Sequence, residues 1–362
     1  MNQKVPFKIE YVDNLGQGIS KVNGKITIVP KTLPEEEGIS VVYNEKPKIE
    51  FTSLKEVNIA SPRRITPACV HYNECQGCHF LHTDYEYEKE LKKKAYARMF
   101  KKWADVSDIK YISAGQRLEY RNRVQLHYDL NKKGLGFMNQ NSIIPVQNCQ
   151  VSKPEIQEVV KKLYKNDEWQ KMGLTKKIGH IEIYKRDGKV VVSEDLPYAA
   201  GGFSQVNESM NSLLIKEVQR HKPVNTANIV DLFGGAGNLT RDLNEQTLVV
   251  DYSPSAPELK SHQEFLNLNI YSKSAVKNLK KHIKTKIDWL ILDPPRSGLK
   301  NLNHFLEELS PNEVTYVSCG PQNQVRDLSN LPKNYTVKEI TFIDLFPSTY
   351  HLETVVHIVK NS

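Results

Sequence analysis

The chain has 362 residues, 39% of them hydrophobic and 25% charged, and this composition excludes disordered, collagen-like and low-complexity proteins. Lysine and arginine number 50 against 42 acidic residues, so the net charge of +8 favours an anionic partner without identifying it. No apolar stretch approaches the ~18 residues of a membrane span, and residues 1–14 contain no apolar signal-peptide core. We therefore expect a cytosolic protein without membrane attachment, long enough for two or three domains.

The N-terminal region predicts short β-strands at 7–12, 19–22 and 26–29. Asn23-Gly24 separates the last two, and this dipeptide between β-branched residues predicts a type I′ hairpin because both turn positions need positive φ. A small β-barrel is the expected module, although any β-rich extension would show the same pattern.

A basic helix and a second β-rich region follow. Residues 85–103 have helical spacing and a run of lysine and arginine, including Lys92 to Lys94. Such a run is usually a solvated face, and it could also follow a phosphate backbone. Residues 120–200 return to strand-like stretches and predict a second, mostly β layer.

The C-terminal half alternates apolar stretches with helical segments. The stretches at 229–233, 247–250, 289–292 and 314–318 are typical of strands buried on both faces, as in a parallel sheet. The pattern predicts a doubly wound α/β domain.

Four of the five cysteines lie near one another in the sequence. Cys69, Cys75 and Cys78 form a C-x5-C-x2-C motif, and Cys149 follows later. Structural disulfides are not expected in a reducing compartment, and four thiolates suit zinc or an iron–sulfur cluster. The triplet is unlike the paired C-x2-C knuckles of zinc ribbons, but spacing alone leaves the metal open.

Several C-terminal strands end in residues that carry chemistry. Residues 231–238 form a glycine-rich turn that lets the backbone approach a ligand, and Asp251 ends the next strand, where it could accept hydrogen bonds from a ribose. The turn lacks G-x-G-x-x-G, which argues against a dinucleotide. Asp293 and Cys319 each follow a strand, so a cofactor crevice is expected beside them.

Together these features resemble the RNA 5-methyluridine methyltransferases of the iron–sulfur, TRAM-domain type, over essentially the whole chain. The resemblance is carried by the N-terminal β-module, the four clustered cysteines and the segments 202–207, 231–238, 293–296, 318–319 and 351–353.

The resemblance implies an α/β fold of three parts. These are a Rossmann-like S-adenosylmethionine (SAM) methyltransferase domain at the C-terminus, an OB-like (TRAM) barrel at the N-terminus, and a central, mostly β iron–sulfur domain. The implied boundaries are 1–60 for the barrel, 61–80 and 112–200 for the iron–sulfur domain, and 81–111 and 201–362 for the methyltransferase domain.

The resemblance also implies the cofactors, the partner and the site residues. The cofactors are SAM and a 4Fe-4S cluster, and the partner is RNA, with ribosomal RNA preferred over transfer RNA, bound by a monomer. Cys319 is the implied nucleophile and Glu353 the implied base. The implied cofactor-pocket residues are Gln205, Phe233, Asn238, Asp251 and Asp293, and the implied cluster ligands are Cys69, Cys75, Cys78 and Cys149.

This chemistry explains the residue types. Uracil C5 is a poor nucleophile until a thiolate adds to C6, so the pKa of Cys319 is expected to be lowered by its site. Glu353 would then remove the C5 proton. Amino-group methyltransferases typically show Asn-Pro-Pro-aromatic and need no cysteine, so Asp293 with Cys319 favours carbon methylation. The target base must leave its stack, and Phe203 is a candidate stacking partner.

The sequence departs from the family pattern at three places. Gly320 stands where such enzymes usually carry Asn or Asp, Gly235 replaces a commonly larger residue, and no obvious carboxylate follows Ile270 to hold the adenine.

A catalytically inactive RNA-binding factor of this fold would have no reason to keep the nucleophile and base together. A zinc-containing methyltransferase for proteins or small molecules would lack the N-terminal module. The same reaction on transfer RNA is the nearest alternative.

Overall fold

The computed structural model describes residues 3–22, 24–196, 205–253 and 257–361. The strands are β1 (Lys4–Lys8), β2 (Tyr11–Val12), β3 (Gln17–Val22), β4 (Lys25–Pro30), β5 (Glu37–Lys46), β6 (Ile49–Ile59), β7 (Lys110–Ile112), β8 (Arg123–Asp129), β9 (Gly134–Asn139), β10 (Ser142–Ile144), β11 (Ile178–Arg186), β12 (Lys189–Glu194), β13 (Ile229–Leu232), β14 (Thr247–Asp251), β15 (Gln263–Asn267), β16 (Trp289–Leu292), β17 (Glu313–Ser318), β18 (Tyr335–Ile343) and β19 (Glu353–Lys360). The helices are α1 (Tyr85–Phe100), α2 (Pro154–Tyr164), α3 (Glu208–Gln219), α4 (Ala275–Lys280), α5 (Leu302–Leu309) and α6 (Pro321–Leu328), with a 3-10 segment at Lys165–Lys171. None of the helices in these ranges is both long enough and apolar enough to cross a bilayer.

The chain divides into two compact units. Unit 1 comprises Met1–Lys92, Ala114–Glu208 and Phe346–Tyr350, and unit 2 comprises Lys93–Ser113, Ser209–Leu345 and His351–Ser362. Both β-rich regions fall in unit 1, and the predicted α/β region forms most of unit 2. The three-domain boundaries stay a prediction.

Unit 1 contains two sheets. The N-terminal sheet has the order β1-β5-β6-β4-β3-β2. β3 and β4 form the predicted hairpin, with Val22 paired to Lys25 across a two-residue turn. Gly24 in that turn has a φ of 77°, which favours glycine; Asn23 lies outside the described residues. The second sheet has the order β10-β9-β8-β11-β12, and its apolar face packs against α2 and the 3-10 segment.

One basic residue of α1 does not lie where the sequence pattern placed it. Lys92 is buried, with its Nζ 3.6 Å from the Glu88 carboxylate and 3.4 Å from the Phe346 carbonyl oxygen. The interpretation of Lys92 as part of a phosphate-binding face is therefore wrong, because a buried and paired ammonium does not reach RNA. Lys94, Lys101 and Lys102 are exposed.

Unit 2 is built on an eight-stranded sheet with the order β15-β14-β13-β16-β17-β19-β18-β7. The strands from β15 to β17 are parallel, and β19 is antiparallel to both of its neighbours. Every residue of β13 and β16 is buried, as the continuous apolar stretches predicted. This sheet confirms the predicted Rossmann-like α/β fold, and the β-rich N-terminal region is consistent with a TRAM-like module.

Candidate active site

The residues predicted to carry chemistry converge at one edge of the unit 2 sheet. In β13, β16 and β17, Leu232 pairs with Leu292, which pairs with Tyr316, so these parallel strands end side by side. β19 runs in the opposite direction and begins at this same edge. Asp293, Cys319 and the glycine-rich turn follow strands here, and Glu353 opens β19.

The strand register brings Cys319 and Glu353 opposite each other. Ser318 pairs with Thr354 in the antiparallel ladder between β17 and β19. In an antiparallel pair the next position on one strand faces the preceding position on the other. The residue after Ser318 therefore faces the residue before Thr354, and these are the predicted nucleophile and base.

The surroundings of Cys319 and Glu353 favour the protonated forms of both groups. Burial raises the pKa of the Cys319 thiol to about 12; the carboxylates of Glu353 and Asp293 raise it as well, and the Arg296 guanidinium, which hydrogen-bonds the thiol, opposes them. Burial also raises the pKa of Glu353 well above its ordinary range, with a further contribution from Asp293. The expectation that this site lowers the pKa of Cys319 is wrong, because the thiol is buried and two carboxyl groups lie near it.

A buried glutamine ties together the two strands that carry these groups. The Nε2 of Gln324 donates to the Tyr316 carbonyl oxygen at 2.9 Å, and its Oε1 accepts from Thr354 Oγ1. Thr354 Oγ1 also lies 2.9 Å from the Ser318 carbonyl oxygen. The sequence analysis missed Gln324, although its position three residues after Pro321 places it on the buried face of α6.

The glycine-rich turn is shaped to bring the backbone close to a ligand. Phe233 and Gly235 both have positive φ, of 62° and 53°, and the Gly235 N–H donates to Asp251 Oδ2 at 2.8 Å. A side chain at Gly234 would place its Cβ 2.8 Å from Asp231 Cγ, so only glycine fits there. The Phe233 ring lies against Tyr271, with ring centroids 5.3 Å apart.

Asp231, at the start of this turn, is a buried carboxyl that the sequence analysis did not assign to the site. Its Oδ2 accepts from Thr240 Oγ1 at 3.1 Å, whereas Oδ1 is buried without a hydrogen-bond partner in the ranges that the structure describes. Burial raises the pKa of Asp231 to about 7, and Asp293 and Asp251 contribute in the same direction. An unpaired buried acceptor is costly unless a ligand supplies a donor.

Unit 1 gathers the other four cysteines around a cavity of about 280 Å³. Cys69, Cys75, Cys78 and Cys149 all line it, together with apolar residues such as Phe137 and Val146. Burial raises the pKa of the thiols of Cys75 and Cys78, and the charges of the neighbouring thiols raise it further. Within the described ranges, no three of the four sulfur atoms lie within 4.8 Å of one another.

A second group has ligand atoms close enough to hold a metal ion, namely Glu217, His221 and Glu339 of unit 2. The Arg220 guanidinium already lies among them: Nη2 is 2.7 Å from Glu217 Oε1 and 3.2 Å from His221 Nε2, and it also binds Glu339. A cation of the chain itself thus compensates these carboxylates.

Comparisons with known proteins bear on the strand-edge arrangement. A family model described as tRNA (Uracil-5-)-methyltransferase matches residues 261–361. The chain is 24% identical to the 23S rRNA (uracil(1939)-C(5))-methyltransferase RlmD of Shewanella woodyi, over 98% of this chain and 95% of the relative. The protein of the same name from Histophilus somni is 27% identical with the same coverage. The resemblance to RNA uracil-C5 methyltransferases is confirmed.

A solved structure of an RNA uracil-C5 methyltransferase shares the fold. The tRNA (uracil-54, C5)-methyltransferase of Pyrococcus abyssi, determined in complex with S-adenosyl-L-homocysteine, superposes with a TM-score of 0.75. The match covers 98% of this chain and 100% of that chain at 20% sequence identity. The likeness therefore extends to both units and not only to the methyltransferase domain.

Against the pattern of the RNA uracil-C5 methyltransferases, Gly320 has a local explanation. A Cβ at this position would lie 2.7 Å from the Arg296 carbonyl oxygen, which also accepts from Asn323 Nδ2 at 2.6 Å. The backbone of Arg296 thus takes the space that a larger residue after the nucleophile would need.

The structure describes two of three further predicted site residues. The side chains of Asn238 and Asn211 hydrogen-bond each other beside the turn. Gln205 belongs to unit 1, where its carbonyl oxygen accepts from Asn122 Nδ2 at 3.2 Å. Phe203 lies outside the described residues, so its role as a stacking partner stays a prediction.

Proposed function

We propose that this chain methylates C5 of a uridine in RNA, with SAM as the methyl donor. The observation that carries the proposal is the register between β17 and β19, which faces the thiol of Cys319 with the carboxyl of Glu353. Uracil C5 methylation needs a sulfur nucleophile and a base on one ring. The names of the relatives support the same reaction.

The residues at the glycine-rich turn fit SAM, which supplies an electrophilic methyl group on a positively charged sulfur. Asp251 ends β14 and has carboxylate lone pairs beyond those used by the N–H groups of Gly235 and Tyr252, enough for ribose hydroxyls. The unpartnered Oδ1 of Asp231 would accept from a cationic amino group. Phe233 and Asn238 border the same turn.

In the proposed mechanism, Cys319 adds through sulfur to C6, and the electron pair of the C5–C6 double bond becomes available at C5. Once C5 carries the methyl group, Glu353 removes the remaining C5 proton; the double bond re-forms and the C6–S bond breaks, which releases the thiolate. Glu353 must be ionised to act as this base, and its raised pKa makes the carboxylate a stronger base once it is ionised.

The thiol needs help to ionise. With its pKa raised to about 12, Cys319 is protonated at neutral pH, so addition requires loss of that proton. Arg296 is the cation of this chain that favours the thiolate. Asp293, which follows β16 at the same edge of the sheet, is the proposed hydrogen-bond partner of the imide N–H of the uracil or of the cofactor.

We also propose that the four cysteines of unit 1 hold one 4Fe-4S cluster, which crosslinks two segments of the unit, around residues 69–78 and around Cys149. The cavity has room beyond a single ion, and its lining combines apolar side chains such as Phe137 and Val146 with polar ones such as Gln125 and His127. Anaerobically purified protein should contain about four irons per chain; one zinc and no iron would refute this assignment.

Ribosomal RNA is the proposed substrate, supported by relatives named as 23S rRNA methyltransferases. The test incubates the purified protein and SAM with 23S rRNA and with transfer RNA, and maps 5-methyluridine by mass spectrometry. A product in 23S rRNA is expected. A product only in transfer RNA would change the substrate, and RNA binding without any product would identify an inactive RNA-binding factor. The monomeric state and cytoplasmic location stay predictions.

A further inference from the structure

A lysine-rich surface on unit 2 is not used by the proposed reaction. Between residues 269 and 287 the chain has no acidic residue. Six exposed lysines lie in this stretch: Lys273, Lys277, Lys280, Lys281, Lys284 and Lys286. We call these six residues the lysine face. They concentrate positive charge in a chain whose whole net charge is +8.

The local fold explains why these lysines point outward. Ala275, Val276 and Leu279 of α4 are buried in the core of unit 2, so the helix anchors the segment by its apolar side. Lys280 pairs with Glu308 at 2.9 Å. In the ranges that the structure describes, the other five lysines form no ion pair with a carboxylate. Their charge is therefore available to an external anion.

A polar cavity of about 240 Å³ adjoins the lysine face. Its polar lining residues are Lys284, His282, Thr285, Asn228, Gln246 and Thr247, with one acidic residue, Glu264, and apolar residues complete the lining. Amide, hydroxyl and imidazole groups beside lysines suit the phosphate and sugar groups of a nucleic acid backbone.

The cavity lies at the opposite edge of the sheet from Cys319. Ile229 and Thr247, which line it, are the first residues of β13 and β14, whereas the reactive residues follow the last residues of their strands. The five residues of β14 span about 17 Å, so one nucleotide does not reach both edges. An RNA that touches the lysine face and the reactive edge must extend well beyond its target base.

We propose that the lysine face binds the phosphate backbone of the substrate RNA at a distance from the target uridine. This inference rests on the proposed function and adds that the enzyme selects a large folded RNA over a short strand. The contact is electrostatic and independent of base sequence, so it contributes affinity rather than choice of base.

The experiment compares two triple variants with the wild-type protein. The test variant carries Lys277→Gln, Lys284→Gln and Lys286→Gln. The matched control carries Lys216→Gln, Lys333→Gln and Lys338→Gln, which removes three exposed lysines from elsewhere on unit 2. Affinity for a long 23S rRNA fragment and for a short oligonucleotide with the same target uridine is measured by filter binding over a range of salt concentrations, and thermal unfolding checks that each variant folds.

The test variant should bind the long fragment on the order of tenfold more weakly at low salt. The slope of the logarithm of its binding constant against the logarithm of the salt concentration should be shallower by about 2. Its affinity for the oligonucleotide and its kcat on it should equal those of the control. A long-fragment affinity and slope that match the control would overturn the proposal and leave the lysine face to another partner, such as an acidic protein. Because binding is measured without turnover, a wild-type protein that binds RNA but never methylates it would refute the proposed function separately.

Discussion

The chain contains cysteines in two settings that share burial and differ in their neighbours. In unit 1, four thiols line one cavity; burial raises the pKa of Cys69, Cys75 and Cys78, neighbouring thiols raise it further, and the nearby cations Lys31 and Arg121 oppose the rise. In unit 2, Cys319 has no second thiol and lies with two carboxyls and Arg296. Burial alone therefore does not distinguish a metal-binding thiol from a nucleophilic one; the charged groups beside the thiol do.

The largest effect is expected from removing the isolated thiol of unit 2. Cys319→Ala should lower methylation at least about 10⁴-fold, because no other group can add to C6. SAM binding, measured by calorimetry, should stay near the wild-type value. Wild-type protein given RNA with 5-fluorouridine at the target should form an adduct that survives denaturing electrophoresis, and the variant should form none. Full activity in the variant would return Cys319 to the role of a buried residue at a strand end.

Removing the carboxyl that faces Cys319 should change both the fate of the adduct and the reactivity of the thiol. In Glu353→Gln, addition and methyl transfer proceed but elimination stalls, so a protein–RNA adduct should accumulate with unmodified RNA. Loss of this acidic neighbour should also lower the pKa of Cys319 from about 12. Alkylation of Cys319 at pH 9 should then be faster than in wild type, by about tenfold for each unit that the pKa falls. Equal or slower alkylation would contradict the electrostatic coupling.

Replacing a thiol of unit 1 should affect iron binding and stability but not the addition of Cys319 to uracil. Cys78→Ser should abolish iron binding and lower the melting temperature by roughly 5 °C or more, because a cluster that joins two distant chain segments contributes to folding. The remaining folded protein should still form the 5-fluorouridine adduct. Cys319→Ser is the matched control and should keep its iron. Iron loss in the control, or full iron content in Cys78→Ser, would remove the distinction between the two settings.

A smaller effect is expected at the hydrogen bonds that align the reactive pair. Gln324→Leu keeps a buried side chain of similar size but loses the contacts to Tyr316 and Thr354. We expect kcat for methylation to fall about tenfold with KM for RNA little changed, because the alignment of Cys319 and Glu353 loosens. The exposed neighbour provides the control, Gln322→Leu, which should behave as wild type. A loss confined to KM would assign Gln324 to RNA binding.

The sequence predicted what depends on local pattern. The buried strands of unit 2, the turn after Leu232 and the cavity cysteines follow from apolar runs and residue spacing. The opposition of Cys319 and Glu353 does not, because it depends on the reversed direction of β19 and on pairing between distant segments. The burial of Lys92 and the raised pKa of Cys319 likewise depend on which distant groups pack beside them.

The insertion of β19 between β17 and β18 has a consequence for the order of biosynthesis. β19 follows both neighbours in the chain, so both leave the ribosome before the strand that joins them. A nascent chain that has not released β19 possesses the cysteine but not Glu353, and its central sheet has a gap. In the proposed mechanism such a chain lacks the base, so a chain cut short before this strand is expected to be inert.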